Sequence, residues 1–168
     1  MKKLAFAVIL VASFLSVRSA SATSIWYTIP GSSCVIISPT DPGRPPVHAN
    51  WGVGNAAAGF DVTCPVVLPY QAYTTTEMRV NGYNRSTTDA VSCTLLATDY
   101  AGANPIPMSL SLPFDGSNTM HSVINSAQNI GAFVNQPAAP LLSLTCHVPG
   151  NTSAGASWLT AIFVLASF

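Results

Sequence analysis

Charge is what this sequence has least of. Charged residues make up 7% of its 168 positions. Its lysines are Lys2 and Lys3, and its one glutamate is Glu77. After residue 22 the cations are Arg44, Arg79 and Arg85, against the acids Asp41, Asp61, Glu77, Asp89, Asp99 and Asp115. That balance is mildly acidic. No basic stripe exists to displace counterions from phosphates, which excludes nucleic acid as a partner. A polybasic membrane patch is excluded for the same reason. Catalytic signatures are missing too. There is no G-x-S-x-G elbow, no H-E-x-x-H and no P-loop. No C-x-x-C pair points to zinc. Helical periodicity is hard to find after residue 22, which argues against a helical domain.

The N-terminus is apolar and short. Lys2 and Lys3 precede an apolar run over residues 4–15, and Ala20-Ser21-Ala22 supplies small residues for cleavage. This is the pattern of a secretory signal over 1–22, with a mature domain over 23–168. The run is shorter than the ~20 residues a membrane span needs, so no span is expected after removal. No cysteine stands at the cut to carry a lipid. The expected destination is periplasmic or secreted.

Cysteine usage agrees with export. Three segments share one pattern: Val62-Thr63-Cys64-Pro65-Val66, Val91-Ser92-Cys93-Thr94-Leu95 and Leu144-Thr145-Cys146-His147-Val148. Cys34 opens a further apolar run, Cys34-Val35-Ile36-Ile37. In a strand, side chains alternate between faces, so each of the three central cysteines points the same way as its aliphatic neighbours. In an oxidising compartment Cys34, Cys64, Cys93 and Cys146 make two disulfides, with three connectivities open. Each bridge is nominally worth ~3–4 kcal/mol through the unfolded-state entropy of a long loop. Strand parity buries Phe60, Val62, Val66, Val91, Leu95, Leu142, Leu144 and Val148 beside the bridges. Cys34 is the natural place to tie down the N-terminal segment.

Short β-rich runs separated by turn residues fill the rest. Strands are predicted over 25–29, 34–38, 47–51, 60–66, 77–81, 91–97, 108–114, 120–125, 130–135, 142–148 and 158–168. Turns are predicted at 52–59, 83–86 and 99–105, with one helical turn between 125 and 130. The expected fold is all-β: one antiparallel β-sandwich, of Greek-key or jelly-roll type. The last run is apolar on both faces, so it fits a central strand. Its terminal Phe168, in step with Ile162 and Val164, also resembles the closing strand of an outer-membrane barrel. Thirteen prolines and many short segments count against that rival.

Candidate chemistry is sparse. His48, His121 and His147 are far apart, and His147 should point away from the core. A hydrolase would need an Asp or Ser within reach of one of them in a cleft. Asp99 with Asn104, and Asp115 with Asn118, carry oxygen ligands in loops, which turn chemistry explains better than calcium. No catalytic residue, metal or cofactor is expected. Aromatic residues are more informative. Trp26, Trp51, Tyr73, Tyr83 and Tyr100 lie near predicted strand ends or loops, where exposed rings could stack on sugars or anchor a protein.

The run from Phe60 to Val66, Val91-Ser92-Cys93-Thr94-Leu95 and the run from Leu142 to Pro149 are similar to segments of a group of small secreted proteins of environmental Gram-negative bacteria. That resemblance implies an exported, disulfide-bonded β-domain and carries over no site residue. The leading expectation is a non-enzymatic structural or adhesive protein. The alternative is a carbohydrate- or cell-surface-binding module, whose partner would be a glycan or a surface protein. Burial of Trp26, Trp51 and Trp158 would remove it.

Overall fold

A computed structural model describes residues 24–38, 45–54, 56–67, 75–99, 101–113, 116, 118–125, 128–129 and 141–167. The expected signal over 1–22, the strand at 130–135, and Tyr70, Tyr73, Tyr100, Asp115 and Phe168 lie outside them.

Twelve strands are described: β1 (Ser24–Pro30), β2 (Val35–Ile36), β3 (Val47–Ala49), β4 (Gly52–Gly54), β5 (Phe60–Cys64), β6 (Thr75–Tyr83), β7 (Ser92–Thr98), β8 (Ile106–Ser111), β9 (Met120–Ile124), β10 (Gln128–Asn129), β11 (Leu141–Val148) and β12 (Trp158–Ser167). They form two antiparallel sheets, a β-sandwich. The five-stranded sheet runs β2-β5-β11-β7-β8. In the seven-stranded sheet β12 is central. Along one side it pairs with β6, which in turn pairs with β9 and β10. Along the other side it pairs with β1 over its later residues and with β4 at its start, and β3 closes that edge. Among the described residues no helix is long and apolar enough to cross a membrane.

The core follows the alternation. Phe60, Val62, Cys64, Cys93, Leu95, Met108, Leu144, Cys146 and Val148 face inward from one sheet. Met78, Val80, Leu159, Ile162 and Val164 meet them from the other. Of the eight positions predicted beside the disulfides, six are buried, while Val66 and Leu142 pack half-buried against the core. The bridges are Cys34–Cys64 and Cys93–Cys146. Both join neighbouring strands of the five-stranded sheet. Cys93 and Cys146 stand directly opposite each other in the β7–β11 ladder. Cys34 follows the short 3-10 turn Gly31–Ser33, where the chain passes from β1 in one sheet to β2 in the other. Its bridge therefore pins that crossover.

Several local expectations differ from the structure; the strand predicted over 47–51 ends at Ala49, with Asn50 and Trp51 in a turn. The glycine-rich stretch at 52–59 is not all turn, because Gly52–Gly54 is strand β4. A Cβ on Gly52 would lie 2.5 Å from the Leu159 carbonyl oxygen, so glycine here serves a close backbone approach. Between 125 and 130, Gln128 and Asn129 pair with Thr76 and Thr75 as a strand instead of turning as a helix. β6 continues through Tyr83, so the turn begins one residue later than predicted.

β12 carries the most consequential difference. Its ladder with β6 shifts register between Leu159 and Ala161, leaving Thr160 as an extra residue. The Thr160 hydroxyl donates to the Asn81 carbonyl at 2.9 Å and holds the bulge in place. A strict period of two would put Trp158 on the same face as buried Ile162 and Val164. The bulge reverses that phase, so Leu159 faces the core and Trp158 faces outward.

Candidate functional site

The outer face of the seven-stranded sheet carries the candidate site. Trp158 opens β12 opposite Tyr83, and Met120 of β9 stands on Tyr83's other side. Trp51 comes from the turn between β3 and β4. Its ring lies 4.2 Å from that of Trp158, tilted by 40°. Tyr83 meets Trp51 edge-on at 6.5 Å. Gly54 lets the Trp158 ring lie close against β4, since a Cβ there would come within 2.7 Å of it. Arg85, Asn118, Ala156 and Thr160 complete the walls of an open cleft of about 500 Å³. That volume lies within the usual range for ligand sites.

Exposure of these rings is considerable. Trp51 is 51% exposed and Met120 51%. Trp158 and Tyr83 are half-buried. Clustered aromatic surface left open to water costs hydrophobic free energy, and such patches mark binding sites more often than chance would. The rings form a tilted pair with an edge-on third member, a cleft rather than a coplanar row.

Arg85 is held from several sides. Its backbone N–H donates to the Ser157 hydroxyl at 3.1 Å, and its carbonyl accepts from the Thr152 hydroxyl at 2.9 Å. Nη1 donates to the Ala154 carbonyl at 2.8 Å and Nη2 to Asn118 Oδ1. The segment after it is tied down by Asn84, buried between Ser86 N–H, Asp89 carbonyl and the Ser157 hydroxyl.

Of the sequence candidates, the structure brings Trp51 and Tyr83 together. Trp26 belongs to a second place on the same outer face, where it is 41% exposed and Arg79 lies over its ring at 5.2 Å. Tyr73 and Tyr100 fall outside the described residues. The sequence names Trp158 only as a tryptophan whose burial would count against a binding module, and it does not name Arg85 as a site residue. Trp158 reads as the start of a buried strand unless the bulge is known, and Arg85 reads as a turn residue. A tryptophan opening a strand beside a Gly-Ala-rich stretch is the one signal that could have singled out Trp158.

The other sheet has its own polar feature. His147 points outward from β11, as parity predicts. Nδ1 lies 2.8 Å from Asp61 and Nε2 lies 2.9 Å from Asp89. This meets the geometric condition of an Asp beside a histidine. Both ring nitrogens, however, are taken up by carboxylates, an arrangement that suits a doubly protonated ring. Burial pulls the His147 pKa down, but the hydrogen bonds to Asp61 and Asp89 and the attraction of their charges outweigh it and raise it above 6.5. A raised pKa means stability that is full below about 6.5 and lost as pH rises through the higher folded value. The ring is about a third exposed, so solvent screening limits the effect to about 0.5 kcal/mol. The urea midpoint should therefore fall between about pH 6 and pH 8, and His147→Gln should flatten that slope.

Asp99 is occupied by its own loop. It accepts from Ala101 N–H at 3.0 Å, Ala103 N–H at 2.7 Å and Asn104 Nδ2 at 3.0 Å. The Ala103 hydrogen bond leads in holding its carboxyl below the usual range, against the opposing pull of burial. Among the described residues no group of three or more His, Cys, Asp or Glu is placed to hold a metal ion.

The chain matches no protein-family model and no curated protein. Solved structures do resemble it. A xylan-binding module, CBM15, aligns over 86% of this chain and 97% of its own, with TM-score 0.52 and 11% identity. The CBM36-1 domain of a multidomain xylanase from the hindgut metagenome of Trinervitermes trinervoides aligns over 83% and 96%, with TM-score 0.47 and 8% identity. At 11% identity the likeness to the xylan-binding module is one of fold.

Proposed function

We propose that this domain is a non-catalytic, exported carbohydrate-binding module. Its ligand is a polysaccharide held in the cleft of Trp51, Trp158 and Tyr83. The observation that carries this reading is the close, tilted pair of Trp51 and Trp158 indoles lining an open cleft that also holds Arg85, Asn118 and Thr160. A pyranose ring offers flat C–H faces to an aromatic ring and hydroxyls at its rim. Trp51 and Trp158 suit the faces, while Arg85, Asn118 and Thr160 suit the rim. The shared sandwich architecture with a xylan-binding module is compatible with this function, although a fold hosts many functions.

A purely structural or adhesive role makes no use of the cleft. It would leave the bulge at Thr160, and the outward turn of Trp158, without a purpose. The test is a screen of the purified domain over residues 23–168 on arrays of plant and microbial cell-wall polysaccharides. Retention on at least one polysaccharide class is expected, and it should be lost in Trp158→Ala and weakened in Trp51→Ala. A blank array from a protein with an intact thermal transition would reject the module.

A further inference from the structure

Resting on the cleft as a glycan site, we propose that its polysaccharide is acidic and carries hexuronate carboxylates read by Arg85 and Arg79. The argument begins with scarcity. After residue 22 the chain has three cations, and the two that are described both lie on the aromatic face. Each stands beside tryptophan: Arg85 lines the cleft with Trp51 and Trp158, and Arg79 covers Trp26. Neither forms an ion pair with a described acid.

Three of the four described acids are engaged elsewhere. Asp61 and Asp89 engage His147 on the outer face of the other sheet. Asp99 is bound to its own loop. Glu77 shares the outer face with Arg79, two residues away in β6, yet makes no ion pair with it. A domain whose overall balance is acidic thus presents both described arginines on one face, where Glu77 is the one described acid.

Arg85 is also prepared for a ligand. A guanidinium has five N–H donors. Two are used, by the Ala154 carbonyl and Asn118 Oδ1. Nε is enclosed without a protein acceptor, and each Nη keeps a second N–H. Its backbone clamps and the turn at Thr152–Gly155 fix its position, so little ordering remains to be done on binding. Gly155 is needed there for its φ of 122°, a conformation that L side chains rarely adopt. A pre-positioned guanidinium with spare donors beside the paired indoles favours a carboxylate over a hydroxyl.

The two Trp–Arg pairs give the ligand its length. Tyr83 and Glu77, the β6 partners of Trp158 and of Leu165 (which pairs with Trp26), are six residues apart, about 20 Å at ~3.3 Å per strand residue. A single sugar cannot reach both places, whereas a chain of several can.

The experiment is calorimetric titration of the folded domain with two uronate-bearing probes, glucuronate-substituted xylo-oligosaccharides and oligogalacturonates. Each is compared with its carboxyl-reduced counterpart, so the comparison requires no variant. At least one acidic probe should bind about tenfold more tightly than its reduced form. The gap should shrink as salt is raised. Arg85→Gln should remove most of that gap, and Arg79→Gln, on the open sheet face, should narrow it as well, which keeps the test decisive where Arg85→Gln disturbs folding. Equal or tighter binding of the reduced forms would overturn the acidic ligand and leave the cleft reading intact. Absence of binding to all probes and to the polysaccharide arrays would overturn both.

Discussion

Trp158→Ala is expected to weaken polysaccharide binding by about a hundredfold, the loss typical of removing a central aromatic anchor. Trp158 forms one wall of the cleft and supports the other, since the Trp51 ring rests 4.2 Å away. Its removal takes one stacking face directly and leaves Trp51 without the surface that orients it. Trp51→Ala should cost less, about tenfold, because the Trp158 ring stays seated against Gly54. The two variants should differ in stability as well. Trp51 is 51% exposed, so its loss should barely move the thermal midpoint. Trp158 is half-buried and should lower it modestly. Calorimetric affinities with melting curves check both expectations. Near wild-type affinity in both variants would place the ligand elsewhere on the molecule.

Gly82→Ala should damage stability and binding together. A Cβ on Gly82 would lie 2.4 Å from the Trp158 carbonyl oxygen and 3.0 Å from Leu112 Cδ1. The first contact is with backbone in a paired strand, which cannot rotate away as a side chain can. Gly31 and Gly52 crowd the same strand from other elements, with Cβ positions 2.1 Å and 2.5 Å from the Leu159 carbonyl oxygen. Three glycines thus enclose the backbone at the bulge that turns Trp158 outward. Forcing a methyl group into this enclosure should cost about 3 kcal/mol, near the top of the usual range for overpacking. That corresponds to a fall of roughly 10 °C in the midpoint for a domain of this size. Polysaccharide affinity should drop in the same variant even at temperatures where it stays folded, because the Trp158 backbone must shift. Gly102→Ala is the control. Gly102 has φ of 78° but no atom within 4 Å of its Cβ position, so it should lose only about 1 kcal/mol and keep its affinity. Equal behaviour of the two variants would show that the glycine enclosure does not govern the cleft.

What could be read from sequence divides along local and non-local lines. The inward parity of Val62, Leu95, Leu144 and the cysteines was legible because period-two alternation is a property of one strand. The loop after Thr98 was legible because Asp, Gly, Asn and Pro each favour turns for their own reasons. Disulfide pairing was not, since it depends on which strands become neighbours in the five-stranded sheet. The role of Gly52 was hidden because a glycine needed for close approach looks the same in sequence as one needed for a turn. Trp51 and Tyr83 were legible as aromatics near strand ends, but their meeting depends on β4 and β6 both reaching the start of β12. Trp158 was obscured by a single inserted residue. Thr160 resets the alternation, and no local signal marks the reset.

The most direct measurement is a titration of the isotope-labelled domain with its polysaccharide, followed through the tryptophan indole N–H signals in nuclear magnetic resonance spectra. The indoles of Trp51 and Trp158 should shift together and saturate with the binding curve. The amides of Thr63, Thr94 and Thr145 on the opposite sheet should stay in place. Saturable binding that leaves both indoles unmoved, or that shifts only the five-stranded face, would contradict the cleft as the site of recognition.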